Sequence, residues 1–439
     1  MENEIAIGYR KGEAGNSSPD DPKSKFYNLT SSFYLLITTL FLLSFSSFGQ
    51  SLGDYQRIAS ENNPGLQAKY KEFEAAMQKV PQVNTLPDPS FSFGYFISPV
   101  ETRVGPQRAK FSLTQMFPWF GTLKAQGDVA TLMAEAKYQS FLDAQNQLHY
   151  QVAAAYYPLY ELKQWKKIEQ KNIDILQSYK TIANSKFKSG AAPMVDVLRV
   201  DLMLKDAETN LSILDQKEKP LRASFNQLLN REEGEAVLIR DSLEAEALAA
   251  NFRRDSLLTN NPVLNALDLK IQASEASELA AQKQGLPKLG VGLDYAVVAE
   301  RSDMSLADNG KDILMPMVSV NIPIFRGKYK AAVKEARLMQ ESYTLQREEL
   351  VNSLSSGYET VWFDMQQQLE LIELYENQLV TTQQSLNLLF SAYGNSGKEF
   401  EEVLRMQQQL LKYEKMMATA EAKYQIALAK LHYITAKTE

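Results

Sequence analysis

Between Phe111 and Ala125 the chain reads Phe-Ser-Leu-Thr-Gln-Met-Phe-Pro-Trp-Phe-Gly-Thr-Leu-Lys-Ala, an alternation that runs into a proline and then into a long helical pattern. A second copy runs from Val318 to Ala331, with Pro323 in the place of Pro118 and one extra residue before the glycine. In both, the apolar period changes from 2 to about 3.6 across a residue that cannot donate to a sheet ladder and is welcome in the first turn of a helix. A strand therefore feeds directly into a helix, twice.

The repeat is wider than this motif. Asn62-Asn63-Pro64 recurs at Asn260-Asn261-Pro262, Pro118 at Pro323 and Gly190 at Gly397, at offsets of 198, 205 and 207. Each half reads helix, strand, loop, strand, very long helix, glycine-marked turn, helix. A period near two hundred residues marks a duplicated domain rather than a solenoid of short units. The expected boundaries are residues 50–253 and 254–439. Strands are predicted at about 89–97, 109–117, 288–298 and 315–322, and long helices at about 119–188, 193–230, 326–393 and 398–436. Residues 1–49 read as an export signal: Lys23 and Lys25 precede an apolar run from Phe33 to Phe45, and small residues follow at Ser47 and Gly49. An uncleaved anchor helix is the alternative. The polar tract Met1 to Pro22 is long for such a signal, which points to a translation start farther downstream.

Composition excludes several kinds of chemistry. There are no cysteines, hence no disulfides, thiolate metal sites, thiol nucleophiles or lipidated cysteine. The net charge of −6 is spread along the chain, so no basic face for nucleic acid stands out. His149 and His432 are the only histidines, each alone in a helical pattern and read as structural or solvated. No nucleophile elbow, metal triad or phosphate loop is visible, and no catalytic, cofactor or metal residue is assigned. The chain reads as a non-enzyme.

The strands alternate sharply. Leu289, Val291, Leu293, Tyr295 and Val297 interleave with Gly290, Gly292, Asp294 and Ala296; Val318, Val320 and Ile322 interleave with Met317, Ser319 and Asn321. Phe91, Phe93 and Tyr95 against Ser92 and Gly94, and Phe111 and Leu113 against Ser112 and Thr114, repeat the pattern. Alternation over about 10 residues fits either a half-buried soluble sheet or a transmembrane barrel strand with lipid outside and water within. Four strands cannot close, so a barrel must be shared between chains. The helices favour that reading. At about 1.5 Å per residue the helices at 119–188 and 326–393 would each run on the order of 100 Å, a length no compact domain needs. Along the predicted helix at 326–393, Trp362, Met365, Leu369, Ile372, Leu379, Leu386 and Phe390 keep steps of three and four, with Glu376 and Gln383 in the missing places, a coiled-coil seam. Phe400, Val403, Leu410, Met417, Tyr424, Leu428 and Leu431 continue it on the returning helix, so the pair packs antiparallel. Pro158 falls inside the first long helix and is expected to kink it.

In this order and duplication, everything after the export segment resembles the TolC-type family of outer-membrane efflux channels. The turn Gly190-Ala191-Ala192-Pro193-Met194-Val195-Asp196-Val197-Leu198 resembles the family's tip motif, and Gly397 to Leu404 is its second copy, one residue shorter and with Glu in place of Asp. The resemblance implies a mixed fold of membrane β-barrel and α-helical barrel. As a homotrimer, each chain would give four strands to a twelve-stranded barrel in outer-membrane lipid, and a third of a helical tunnel through the periplasm of a Gram-negative bacterium. Residues 231–253 would form an equatorial belt around the tunnel. Gly190, Asp196, Val197, Leu198, Gly397, Val403 and Leu404 would dock a periplasmic adaptor (membrane fusion protein), itself coupled to an inner-membrane efflux pump. Asp196, Glu399, Glu401, Glu402, Lys398 and Arg405 would ring the periplasmic aperture, with Arg199 a further partner for the carboxylates. The second tip resembles channels paired with heavy-metal pumps, while drugs and dyes stay open as substrates.

Other features have two readings. Met304, Met315 and Met317 are either thioether ligands for a soft metal or ordinary apolar and loop residues, and the second is preferred. Phe117, Trp119, Phe120 and Phe325, at the strand ends, read as interfacial aromatics. Glu399, Glu401 and Glu402 are either a solvated helix start or a ring of acids at the tunnel's closed end. On the barrel reading Asp294 is a wet lumen position that alanine can replace. A coiled-coil periplasmic adaptor has no reason to duplicate a greasy-out strand pair, and a passive porin has no need of the helices.

Overall fold

The computed structural model describes residues 51–243, 260–396 and 400–436. The export segment 1–49, residues 244–259 with the end of the proposed belt, and Gly397, Lys398 and Glu399 of the second tip lie outside the described residues. In chain order the elements are α1 (Leu52–Asn62), α2 (Pro64–Met77), α3 (Lys79–Val83), β1 (Ser90–Thr102), β2 (Gly105–Phe117), α4 (Thr122–Lys188), α5 (Met194–Leu228), α6 (Pro262–Gln284), β3 (Lys288–Val298), β4 (Ile313–Asn321), α7 (Gly327–Ser396) and α8 (Phe400–Thr435).

The duplicated Asn-Pro anchor has a structural reason. Asn63 accepts the Leu66 N–H at 3.1 Å and donates from Nδ2 to the Leu228 carbonyl at 2.9 Å. Asn261 accepts the Val263 N–H at 2.9 Å and donates to the Ile434 carbonyl at 3.1 Å. Each asparagine caps the helix that follows it, whose first turn carries Pro64 or Pro262, and ties it to the last turns of the helix that closes the same repeat.

The two longest helices, α4 with 67 residues and α7 with 70, would each extend on the order of 100 Å. α4 is continuous across Pro158 and α5 across Pro220. Toward the turn between α4 and α5, the helices lie side by side in the order α5, α4, α8, α7; toward the sheet the order is α2, α4, α6, α7. Thus α7 forms one lateral margin throughout, and α5 with α2 the other.

The seam of α7 differs from the expected one at alternate positions. Met365, Ile372 and Leu386 are buried as the pattern requires, but their buried companions are Tyr358, Val361, Gln368, Tyr375, Thr382 and Tyr393. Trp362 and Leu369 stand beside the core, half-buried. The spacing of three and four is right; hydropathy picked the wrong residue at every other step, because tyrosine, glutamine and threonine fill places that apolarity does not score. On α8, Phe400, Val403, Leu410, Tyr424 and Leu431 are buried, while Met417 and Leu428 are only partly so.

The strands form one antiparallel sheet in the order β1-β2-β3-β4. The β2–β3 pairing joins the two repeats, setting Leu113 opposite Leu293 and Ser112 opposite Asp294. β1 and β4 are left as open edges.

Candidate functional site: an apolar-out sheet and a packed helical tip

Register fixes the two faces of the sheet, because side chains alternate along every strand. One face carries Ser112, Thr114 and Met116 of β2, Gly292 and Asp294 of β3, and Met315, Met317 and Ser319 of β4. This polar and small face is covered at Asp294 and partly covered along β2, while Met315 and Ser319 on β4 are exposed. Asp294 is only 2% exposed and pairs with Lys110 at 2.5 Å. The expectation that Asp294 is a loosely solvated lumen residue is therefore corrected: Lys110 on the adjacent strand reaches across to its carboxylate and covers it. A Cβ at Gly290 would lie 2.6 Å from the Met116 sulfur and 2.2 Å from Ser319 Oγ, so those two side chains would have to turn aside for any larger residue. Met304 sits apart from the other two methionines of its group, exposed between β3 and β4.

The opposite face is apolar and exposed. It presents Phe91, Phe93, Leu113, Val291, Leu293, Val320 and Val318, the last 79% exposed. Phe93, Phe111 and Tyr295 form a ladder of rings across three strands, with centroids 5.1 and 6.4 Å apart. A soluble sheet hides such a face and wets the other; here the arrangement is inverted. At the helix-proximal end, Phe117, Trp119, Phe120 and Phe325 are all exposed. Among the described residues no helix is long and apolar enough to cross a membrane.

The far end of the helices is the second half of the site. Gly190 ends α4 in the left-handed region, φ 72°, with its N–H on the Phe187 carbonyl at 3.0 Å and the Ala191 N–H on the Lys186 carbonyl at 2.8 Å. These two bonds are those of a Schellman cap, which needs positive φ at its turning residue. α5 then begins at Met194. Beneath the turn, Val197, Val200, Leu386, Tyr393, Phe400, Val403 and Leu404 share one core with Leu176 and Tyr179 of α4. Tyr393 stacks on Phe400 at 4.4 Å, and Lys186 lies over the Tyr393 ring while donating to the Gly394 carbonyl at 3.0 Å.

The tip residues named from the motif thus divide. Val197, Val403 and Leu404 point into the core, whereas Leu198 is 51% exposed. Met194, Val195 and Leu202 are exposed with it and make an apolar stripe on α5 that the expected docking residues left out; the spacing of 195, 198 and 202 was the available signal. Asp196 is 5% exposed, and burial raises its carboxyl above the ordinary aspartate value; the Arg199 cation opposes the rise and the Glu401 anion adds to it. Arg199 lies 3.9 Å from Asp196 and 2.9 Å from Glu401, bridging the two repeats. Glu402 pairs with Arg405 on the surface of α8. Gly397, Lys398 and Glu399 are outside the described residues.

Residues 254–437 match the family model described as outer membrane efflux protein. No curated protein matches the chain. Among solved structures, one of CusC, described as undergoing conformational changes that accompany folding and transmembrane channel formation, is similar at a TM-score of 0.73 and 15% identity, over 88% of this chain and 92% of that one. The outer membrane protein VceC of Vibrio cholerae is similar at 0.69 and 15%, over 88% and 95%. The open state of the MtrE outer membrane channel of Neisseria gonorrhoeae is similar at 0.69 and 16%, over 88% of each chain.

Proposed function

We propose, for a chain that belongs through residues 254–437 to the outer membrane efflux protein family, that it forms the outer-membrane exit duct of a tripartite efflux system. The observation that carries this reading is the inverted sheet. An apolar face and two unpaired edges on four strands are an aggregation liability in water; in lipid the apolar face is required and the edges must pair with further strands. Three copies joined edge to edge give twelve strands, within the known range of closed barrels, with the apolar face against lipid and the Asp294–Lys110 face toward water. The same threefold closure sets the free margin of α7 against α5 and α2 of the next copy and continues the barrel as a helical tunnel.

Conduction is passive and the substrate is not chemically changed. At rest, the packed Tyr393–Phe400 core and the Arg199 bridge hold each chain's two hairpins together at the tip. Docking of a periplasmic adaptor on the stripe of Met194, Val195, Leu198 and Leu202 separates the hairpins, and an inner-membrane pump supplies the energy. Val197, Val403 and Leu404 serve this site from within by fixing the helices that present it. Threefold symmetry multiplies Asp196, Glu401 and Glu402 into rings that favour cations at low salt.

The test is purification in detergent, electrophoresis with and without heating, and planar-bilayer recording. A heat-sensitive trimer with cation-preferring conductance is expected. A monodisperse monomer that stays in solution without detergent would contradict the reading.

A further inference from the structure

The two histidines stand 283 positions apart in sequence, yet they border the same cavity, of about 410 Å³. Its walls come from three helices: the first turns of α1, the middle of α4 around Asn146, His149 and Tyr150, and the last turns of α8 around Gln425, His432 and Tyr433. No Asp, Glu, Lys or Arg lines it, in a chain that is 23% charged; the carboxyl of Asp143 reaches it only through a hydrogen bond with the Tyr433 hydroxyl. Burial lowers His149 below the ordinary histidine value, which keeps its ring neutral, and Ser60 Oγ holds its Nε2 at 2.8 Å.

The lining has a definite chemistry. Carboxamides and neutral imidazole each offer both donors and acceptors, as do phenol hydroxyls. The rings of Tyr150 and Tyr433 lie nearly parallel, 16° apart with centroids 6.1 Å from one another, and supply flat apolar surface beside those polar groups. A ligand matched to this wall is uncharged, carries several hydroxyl or amide groups, and has an apolar face. A sugar ring has all three properties: equatorial hydroxyls around its edge and C–H bonds on its faces. The volume suits one or two rings.

We propose that this cavity binds a neutral sugar, with the carboxamides of Asn146 and Gln425 bonding its hydroxyl or acetamido groups and Tyr150 and Tyr433 packing on its face. The site lies at the level where both repeats end, away from the sheet and the tip. It is independent of conduction.

The probe is N,N′-diacetylchitobiose, a neutral N-acetylated disaccharide, presented to the full chain in a detergent without a sugar headgroup and followed by saturation-transfer NMR and calorimetry. Asn146→Leu and Gln425→Leu are each expected to weaken binding about tenfold, with trimer and conductance unchanged. Tyr150→Leu, which removes the ring but no carboxamide, guards against a fold defect and should also weaken binding. Sedimentation with purified cell-wall polysaccharide then identifies the source. Co-sedimentation lost in Asn146→Leu indicates a glycan strand, and binding of the disaccharide alone indicates a free oligosaccharide; both support the site. No saturation transfer to the wild type, or equal transfer to wild type and Asn146→Leu, overturns the proposal, and a conducting trimer in that case leaves the channel reading intact.

Discussion

Arg199 of the first repeat and Glu401 of the second meet at 2.9 Å, an ion pair across the two hairpins of one chain at the point where both turn back. Arg199 also faces Asp196 at 3.9 Å, so one cation serves two carboxylates, one exposed and one buried. Removing the cation releases the hairpins from each other and leaves Asp196 with Glu401 as its nearest charge. Arg199→Ala is expected to raise the resting open probability in bilayer recordings. Because the pair is partly exposed, the effect should not exceed about fivefold, equivalent to about 1 kcal/mol. Glu401→Gln should do the same more weakly; no change with either variant would remove the pair from the gate.

Asp196 makes the tip sensitive to pH. Its folded pKa is raised, chiefly by burial, so the folded tip binds more protons than the unfolded chain in the range just above the ordinary aspartate value of 3.8. Its stability contribution is therefore most favourable in acid and falls as pH rises through that range. Hydrogen exchange of the amides flanking the turn should show slower opening at pH 4 than at pH 7 after correction for intrinsic rates. Asp196→Asn should flatten this difference and protect the tip at neutral pH.

Gly190 has no heavy atom within 4 Å of the place a Cβ would occupy, so a substitution there meets no clash and suffers only the left-handed backbone penalty, about 1–2 kcal/mol. Gly190→Val should distort the turn and its apolar stripe while sparing the trimer. The measurement is adaptor pull-down beside unheated electrophoresis: reduced capture with an intact trimer is expected, and loss of the trimer would assign the glycine to folding instead.

On the sheet, Val291→Arg sets a charge on the apolar face and should reduce membrane assembly, by about 2–4 kcal/mol near the bilayer midplane. Asp294→Ala should reduce it far less, because the Lys110 side chain, 41% exposed and on the face toward water, stays solvated when its partner is removed. Outer-membrane levels of the two variants test the ordering.

Much of the architecture was written in local pattern. Strict alternation in Leu289 to Val297 marked the strand and its two faces but not which of them is covered, and the Pro118 and Pro323 stretches marked where strand gives way to helix. What stayed hidden depends on partners distant in sequence. Nothing around Asp294 signals that Lys110 covers it, and nothing near Lys186 signals the Gly394 carbonyl. The helical seam was legible in spacing but not in identity, because Tyr358, Gln368, Tyr375 and Thr382 are held by packing from neighbouring helices. The cavity that His149 and His432 share was invisible for the same reason: each looks isolated until α4 and α8 are laid side by side.

The central claim is that one face of the sheet meets lipid and the other water, and the absence of cysteine from the chain makes single-cysteine labelling clean. Cysteines placed one at a time at Met317, Val318, Ser319 and Val320, in chains reconstituted into vesicles, are exposed to a water-soluble thiol reagent and, separately, to a lipid-borne quencher after fluorophore attachment. The account predicts alternation with period two: Met317 and Ser319 react from water and escape the quencher, while Val318 and Val320 resist the reagent and are quenched. Val318 and Val320 reacting from water as fast as Ser319, with no quenching at any of the four, would contradict it.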